Sequence, residues 1–427
     1  MQFKSGHPAL DLGELPDRLR DFVVRRSRAI IAVSVPLLVA SFVLLLVMRR
    51  AGLDHGSAID YQVYRWAVHT WLAGGDIMNS APTVSIGRVL PWVYPPFALV
   101  PLLPFALLPF VAGLAALYLV DVLAIGAALY LVTRHLWPAV ERRGALAVAA
   151  AVLPWTLFLE PVYASFGLGQ INIALMGLVI VDCLALNPRW PRGLLIGIAA
   201  AIKLTPAAFL LFFLFRKEFR AAVTVVVTAA FGTLVGFALN YRASVEYWFG
   251  KGPAHGVSGS AFHTNQSIMG GLARLELAPS VQNALWLLLS LACAAVVAYA
   301  VRRTDPALAV VANGLLALLV SPTSWSDHWV WCAPALLVML GYSVRLRSIG
   351  WFAVTALSAV TVLAAVFKSL PTGPPWTPLE HFFGNPYLLC GLLLLGLLGL
   401  FVRNRTIASA PEDPSALVGD EVRPEPR

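Results

Sequence analysis

Apolar stretches of about 15 to 25 residues recur from Ala29 to Val402, separated by short basic or mixed polar segments. Each is long enough, or nearly so, to cross about 30 Å of hydrocarbon as a helix. In that medium the backbone must satisfy its own hydrogen bonds, which a helix does and an open strand does not. The short alternating segments of a membrane β-barrel are absent. The pattern predicts an all-α polytopic membrane protein. The first run, Ala29 to Met48, follows the basic segment "RLRDFVVRRSR" and is too long and too uniformly apolar for a cleaved signal core. It reads as a retained first helix behind a cytoplasmic segment, residues 1–28. After Val402, residues 403–427 are rich in proline and mixed in charge, the composition of a disordered cytoplasmic tail.

Basic clusters at Arg18 to Arg28, Arg134 to Arg143, Arg189 to Arg192, Arg216 to Arg220, Arg302 and Arg303, Arg345 to Arg347, and Arg403 to Arg405 set the orientation. The positive-inside rule makes all of them cytoplasmic, with both termini, and outweighs Arg49 and Arg50. Cytoplasmic loops must then be an even number of crossings apart. Ala145 to Leu186, Ala221 to Ala300, Ala307 to Gly341 and Trp351 to Val402 each hold two spans around an outer loop. Two intervals depart from simple hairpins. In Tyr94 to Thr133 the Pro-punctuated "YPPFALVPLLPFALLPF" is expected to lie along or dip into the membrane before one full crossing. In "GLLIGIAAAIKLTPAAFLLFF", two half-helices of about ten residues, each about 15 Å long, form a broken or re-entrant hairpin with "KLTP" at its tip. Full and half spans together number roughly ten to twelve, with short interfacial helices expected in outer loops.

The remaining polar clusters all fall on the opposite, outer face. They are "IDYQVYR" and "WVYPP" in a first outer loop over 49–94, then "FGLGQIN", "HTNQS", "SWSDH" and "EHFFGNP". A site built there faces the periplasm or cell envelope, where no nucleotide is available. Composition agrees: of 427 residues 59% are hydrophobic and only 12% charged, with mean hydropathy +0.77, outside the range of soluble domains. The net charge of +9 resides in the loop clusters, so nucleic acid is not the implied partner. Cys183, Cys293, Cys332 and Cys390 lie in or at the ends of apolar spans and read as small buried hydrophobes without disulfides. There is no GxxxxGK[ST], and no GxGxxG between a strand and a helix, so no soluble nucleotide-binding domain is present.

Asp60 heads a helical segment that carries Tyr64 on the same face, with Tyr61 and Arg65 as a neighbouring pair. A partly buried carboxylate can take a proton from an attacking hydroxyl; equally, aspartate is a preferred helix N-cap. Lys203, beside Thr205 and Pro206, is either an intramembrane cation able to hold a lipid phosphate or a lysine snorkelling to the interface. In "SPTSWSDHW", Asp327 and His328 sit between Trp325 and Trp329. His328 could meet a phosphate as an imidazolium or move a proton, or the motif is an aromatic belt with helix-capping polar residues. Gln170, Asn172, Asn265 and Gln266, with Trp92, Tyr94 and Trp325, are the amides and rings of a sugar-recognising surface, or else ordinary loop residues. His55, His69, His255, His263, His328 and His381 fall in outer loops without tight ligand spacing, so no metal site is indicated.

In chain order, "IDYQVYR" at 59–65, "WVYPPFA" at 92–98, "GLGQINIALMGLVIVD" at 167–182, "GLLIGIAAAIKLTPAAFLLFFLFRKEFRAA" at 193–222, "NQSIMGGLAR" at 265–274 and "SPTSWSDHWVW" at 321–331 resemble the GT-C glycosyltransferases of family 87. The likeness is to the actinobacterial polyprenol-phosphate-mannose-dependent α-1,2-mannosyltransferases in particular. It implies a GT-C transmembrane domain over 29–402 in the cell membrane and a catalytic base at Asp60. It also implies a polyprenyl-phosphate-mannose donor held in the membrane and a lipid-anchored glycan acceptor, a phosphatidylinositol mannoside or a lipomannan core. The family's histidine after the "SWS" motif is matched by His328, with Asp327 before it. An inverting displacement follows by chemistry, with Lys203, His328 and Arg65 as cations for the departing phosphate and Tyr61, Tyr64, Trp92, Tyr94, Gln170, Asn172, Asn265, Gln266, Trp325 and His381 toward the acceptor. Neither cofactor nor divalent metal is expected. Two other readings stand beside this one: a polyprenyl-phospho-arabinose-dependent arabinosyltransferase, and a lipid transporter or flippase, which the lack of an internal repeat disfavours.

Overall fold

The computed structural model describes residues 17–50, 57–250 and 256–408. His55, His255 and most of the expected tail lie outside them. The chain begins with α1 (Asp17–Arg50), α2 (Ile59–Leu72), α3 (Leu99–Leu107), α4 (Phe110–Leu136), α5 (Glu141–Thr156), α6 (Glu160–Leu168) and α7 (Asn172–Leu184). It continues through α8 (Leu194–Ile202), α9 (Leu210–Phe215), α10 (Phe219–Leu239), α11 (Tyr241–Val245), α12 (Ile268–Ala273) and α13 (Pro279–Val301). The last elements are α14 (Pro306–Val320), α15 (Cys332–Arg345), α16 (Ile349–Ala364), α17 (Pro378–Gly384) and α18 (Pro386–Ala408), with 3-10 turns at Thr205–Phe209 and Ser326–Trp331.

Among the described residues six helices are long and apolar enough to cross a membrane: α1, α4, α10, α13, α16 and α18. A seventh span forms if α5 and α6, bent by 74°, are taken as one. The rest of the expected count consists of shorter apolar helices, among them α3, α7, α9 and α14. The Pro-punctuated segment is a short helix, α3, ahead of the full-length α4. The break at "KLTP" is present as well: α8 ends where Lys203 turns extended (φ −147°, ψ 133°), and the chain restarts as a 3-10 turn running into α9.

Two boundaries differ from expectation. Helix α1 starts at Asp17, inside the segment assigned to 1–28, and α18 continues to Ala408, so residues 403–408 are helical and not tail. In each case a helix outlasts its apolar run because charged residues at the membrane exit are good helix formers, and basic residues at the C-terminus favour the helix dipole. Arg405 also lies over the Phe401 ring.

Close approach of small residues holds the bundle together, as lipid offers no hydrophobic drive for helix association. Helix α8 packs on α10, and α4 on α7. A Cβ at Gly197 would meet Thr228 Cβ at 2.5 Å, and one at Gly232 would meet Ala201 Cβ at 2.5 Å, so the "GLLIG" and "GTLVG" sequences let α8 and α10 touch.

The connections at one end of the bundle are tied to one another by two buried charges. Arg274 donates to the carbonyls of Ala261, Phe262 and Asn265 and to the Asn385 side chain, and its guanidinium covers the Trp376 ring. Glu160 accepts from Ser326 Oγ at 2.9 Å and Tyr387 Oη at 2.7 Å and pairs with Lys368 Nζ at 2.6 Å. Short α17, opened by a Thr377–Glu380 capping box, turns Leu379, Phe382 and Phe383 outward, the form expected of an interfacial helix.

Candidate active site

The site begins with a turn. Helix α6 ends at Gly169 in the left-handed region (φ 66°), where the amides of Gly169 and Gln170 bond back to Phe166 and Ser165. A side chain at Gly169 would strike Tyr61 Cβ at 2.7 Å, so this glycine also lets α2 press on the turn. Ala58, the N-cap of α2, donates its N–H to Gly167 O at 2.9 Å, which docks α2 against the same loop. Asp60 therefore sits in the first turn of α2 but is not its cap: Ala58 is, and no side chain caps it. Of the two readings of Asp60, the capping one is removed.

The Asp60 carboxylate instead faces Gln170. Gln170 Oε1 receives the hydroxyls of Tyr64 and Tyr94 and the N–H of Ile171, Tyr94 at 2.8 Å. With donors filling its oxygen, the amide presents Nε2 to Asp60 Oδ2, at 2.9 Å. Tyr64 and Tyr94 oxygens lie 2.9 Å apart, and Trp92 packs edge-on to Tyr64 behind them. Next along the chain, Asn172 donates to Asp327 Oδ2 at 2.9 Å and accepts from Lys203 Nζ at 2.7 Å. Lys203 Nζ stands 3.4 Å from His328 Nε2 and 5.3 Å from the Tyr94 ring centre. Four separate segments thus bring two acids, two amides, an ammonium and an imidazole together.

Electrostatics follow from burial. Desolvation first, and the Asp327 charge second, push the Asp60 carboxyl up to about 7, against the lowering pull of Lys203 and of the Gln170 hydrogen bond. Desolvation likewise raises Asp327, to about 6, with Lys203 opposing. His328 is held well below its usual range by burial and then by the Lys203 charge, so it offers a neutral imidazole. Among the described residues no three His, Cys, Asp or Glu side chains converge.

The other sequence candidates separate. Tyr61 and Arg65 turn toward α3: the Tyr61 hydroxyl donates to Phe105 O at 2.8 Å, and Arg65 donates to Leu108 O while lying over the Tyr61 and Phe110 rings. Trp92 is buried behind the tyrosines and offers no sugar-facing surface. Asn265 and Gln266 are also fully buried. Asn265 donates to the carbonyls of Ser260 and Pro322 and accepts from Ser267 and Ser324; Gln266 donates to His263 O and Gly384 O and accepts from Tyr387 N. Their polar capacity is spent on closing the loops, not on a sugar. Trp325 remains half-buried beside Asn265, and His381, on α17, packs edge-on with Trp376.

Sequence reasoning passes over the carboxylate of Asp327 as a partner of Asn172, over the Glu160–Lys368 pair and Arg274, and over Asp121, buried in α4 with neither oxygen hydrogen-bonded among the described residues. Ionisable residues within apolar runs were the available signal for Glu160 and Asp121.

This architecture, a polytopic helical bundle with a buried acid–amide–amine cluster at one end, defines the chain as a membrane-embedded catalyst class. The sequence profile of Glycosyltransferase family 87 matches residues 92–322, a stretch that includes Gln170, Asn172 and Lys203, with Asp60 ahead of it and His328 just beyond. A polyprenol-phosphate-mannose-dependent alpha-(1-2)-phosphatidylinositol mannoside mannosyltransferase of Mycobacterium tuberculosis is 38% identical over 341 residues, 75% of this chain and 76% of its own length. A protein of the same description from Mycolicibacterium smegmatis is 36% identical over 377 residues, 82% of this chain and 85% of its own. A pentamannoside mannosyltransferase from that organism is 30% identical over 354 residues, 77% of this chain and 83% of its own. No solved structure matches the chain. The chain belongs to glycosyltransferase family 87.

If Asn265 is structural, Asn265→Ala destabilises the protein by about 2–4 kcal/mol through the carbonyls and amides it leaves unpaired. The check is thermal unfolding in detergent; an unchanged midpoint with a raised acceptor KM would return Asn265 to the binding surface.

Proposed function

We propose that the protein transfers mannose from polyprenyl-phosphate-mannose to a 2-hydroxyl of a phosphatidylinositol mannoside, forming an α-1,2 bond with inversion. The observation that carries this reading is the desolvated cluster itself: a carboxyl near neutral pKa at Asp60, fixed by Gln170, with the Lys203 ammonium across the same pocket. The printed descriptions of relatives at 38% and 36% identity support the donor and acceptor classes. The basic clusters support a site on the periplasmic face and cytoplasmic termini.

In the step proposed, the acceptor oxygen bonds to the mannose anomeric carbon while its proton passes to Asp60. The bond from that carbon to the phosphate oxygen breaks, and polyprenyl phosphate departs with the electron pair. Lys203, with the His328 ring 3.4 Å from its Nζ, meets the charge that develops on the phosphate. One displacement turns a β-linked phosphate into an α-linked product, so a single base suffices and no carboxylate nucleophile is needed. Asp327 acts on this chemistry through others: its charge raises Asp60, and its carboxylate holds the Asn172 amide against Lys203. Because Lys203 supplies the positive charge, we also propose that a divalent cation is not required, and transfer is expected to continue unchanged in EDTA.

Asp60→Asn is expected to lower transfer by about 10²–10⁴-fold in a membrane assay with radiolabelled donor; wild-type transfer by that variant would sink the base assignment. A base must be deprotonated to act, so the rate should fall as pH drops through about 7, the Asp60 value. Asp327→Asn removes a like charge that raises Asp60, so the acid limb of its pH–rate profile should move to lower pH. A limb that stays in place, or rises, would show that Asp60 does not govern it.

A further inference from the structure

Helix α6 meets the polar cluster at both of its ends. At the C-terminal end Gly169 makes the turn that presents Gln170 to Asp60. At the N-terminal end stands Glu160, a carboxylate only 6% exposed whose bonds run to other elements. Its Oε1 accepts from Ser326 Oγ at 2.9 Å and pairs with Lys368 Nζ at 2.6 Å, and its Oε2 accepts from Tyr387 Oη at 2.7 Å. Ser326 and Trp329 flank Asp327 and His328 in the 3-10 turn Ser326–Trp331. Glu160 holds the first of them directly. The second packs on the Tyr387 ring, centroids 5.5 Å apart, and Tyr387 is itself fixed by Glu160 at its hydroxyl and by Phe367 edge-on to its ring. Two contacts, one on each side of the Asp327–His328 pair, thus converge on one carboxylate.

From that turn the constraint passes to the ammonium through Asn172. The Asn172 amide donates to Asp327 O at 3.2 Å and to Asp327 Oδ2 at 2.9 Å, so main chain and side chain of the turn both locate it, and its oxygen receives Lys203 Nζ at 2.7 Å. A shift of the turn therefore becomes a shift of the ammonium. Helix α6, nine residues and about 13 Å long, fixes how far the Gln170 turn stands from the Ser326 contact. Resting on the function proposed above, we propose that Glu160 is a positioning residue of the transfer reaction: it locks the Asp327–His328 turn and, with α6 as a strut, holds the Lys203 ammonium at a set distance from Asp60 and Gln170. Glu160 acts only through Ser326 and Tyr387. The distance matters because in a displacement with inversion the attacking and departing oxygens lie on opposite faces of the anomeric carbon, and the groups that serve them must keep that span. Lys368 completes the clamp, for its charge and that of Glu160 act on Asp327 in opposite directions.

The test is a double-variant cycle in the full-length protein, with kcat per folded enzyme and acceptor KM measured for mannosyl transfer from polyprenyl-phosphate-mannose. Glu160→Gln keeps the size of the side chain and one acceptor oxygen; it is expected to lower kcat about tenfold, and Glu160→Ala about a hundredfold, with acceptor KM within about twofold in both. Asp327→Ala, which removes the carboxylate that seats Asn172, lowers kcat as well. Because both positions act through one turn, the double variant Glu160→Gln with Asp327→Ala should be no slower than the slower of the two single variants. Ser326→Ala leaves every charge in place and removes one bond. It should lower kcat less than Glu160→Gln, with the same dependence on Asp327, and it takes the place of the Glu160 variants if those do not fold. Losses that multiply in the double variant, or a kcat that none of these changes at positions 160 and 326 alters, would overturn the positioning role while leaving the transfer reaction intact. No transfer by the wild-type protein would instead overturn the function on which that role rests.

Discussion

One ammonium has to serve two carboxylates. Lys203 lies in a largely desolvated pocket with Asp60 and Asp327, and each of the three charges is expensive there unless the others are present. The rest of the structure can be understood as what it takes to keep them together. Lys203 reaches the pocket because α8 stops at it, and the chain there is extended instead of helical. Asn172 joins ammonium to carboxylate because it opens α7, where its side chain is not bound to a helix face in the span interior. Had α8 and α9 formed one continuous span, the lysine would have pointed into lipid or a packed interface, with no acid in reach.

The two amides of "GQIN" do similar work for different charges. Gln170 has its oxygen occupied by phenolic and backbone donors, so it can only donate to Asp60. Asn172 accepts from a cation and donates to an anion. An amide is the natural side chain for both tasks, as it carries donor and acceptor in one plane and no charge of its own to be desolvated. The tyrosine pair adds a rigid aromatic wall whose hydroxyls orient Gln170, and one of its rings faces the Lys203 ammonium.

Much of this was legible in the chain. Hydrophobic run length gave the helices, proline and the stranded lysine marked the half-helices, and the four-residue spacing of Asp60 and Tyr64 put both on the pocket side of α2. Three things were not legible, for reasons that are physical. Asparagine and glutamine in a loop look alike whether they bind a sugar or a backbone carbonyl, and only closure of the outer segments decides; Gln170 and Asn172 came to line the site, while Asn265 and Gln266 became its supports. Asp60 resembles an N-cap until the left-handed Ala58 is seen to take that place. Arg274 and Glu160 lie far in sequence from the groups they hold, so their partners could not be read from spacing.

The half-length elements have a consequence for how the protein sits in membranes of different thickness. Helices such as α4, α10 and α13 are long and apolar enough to cross a membrane, and spans of that kind answer hydrophobic mismatch by tilting. Helices α8 and α9 are much shorter and are joined through the break at Lys203. The ammonium that Lys203 contributes is therefore mounted on elements that bilayer thickness cannot pull at directly. A membrane whose lipid composition changes with growth would tilt the outer helices around a cluster that keeps its own spacing.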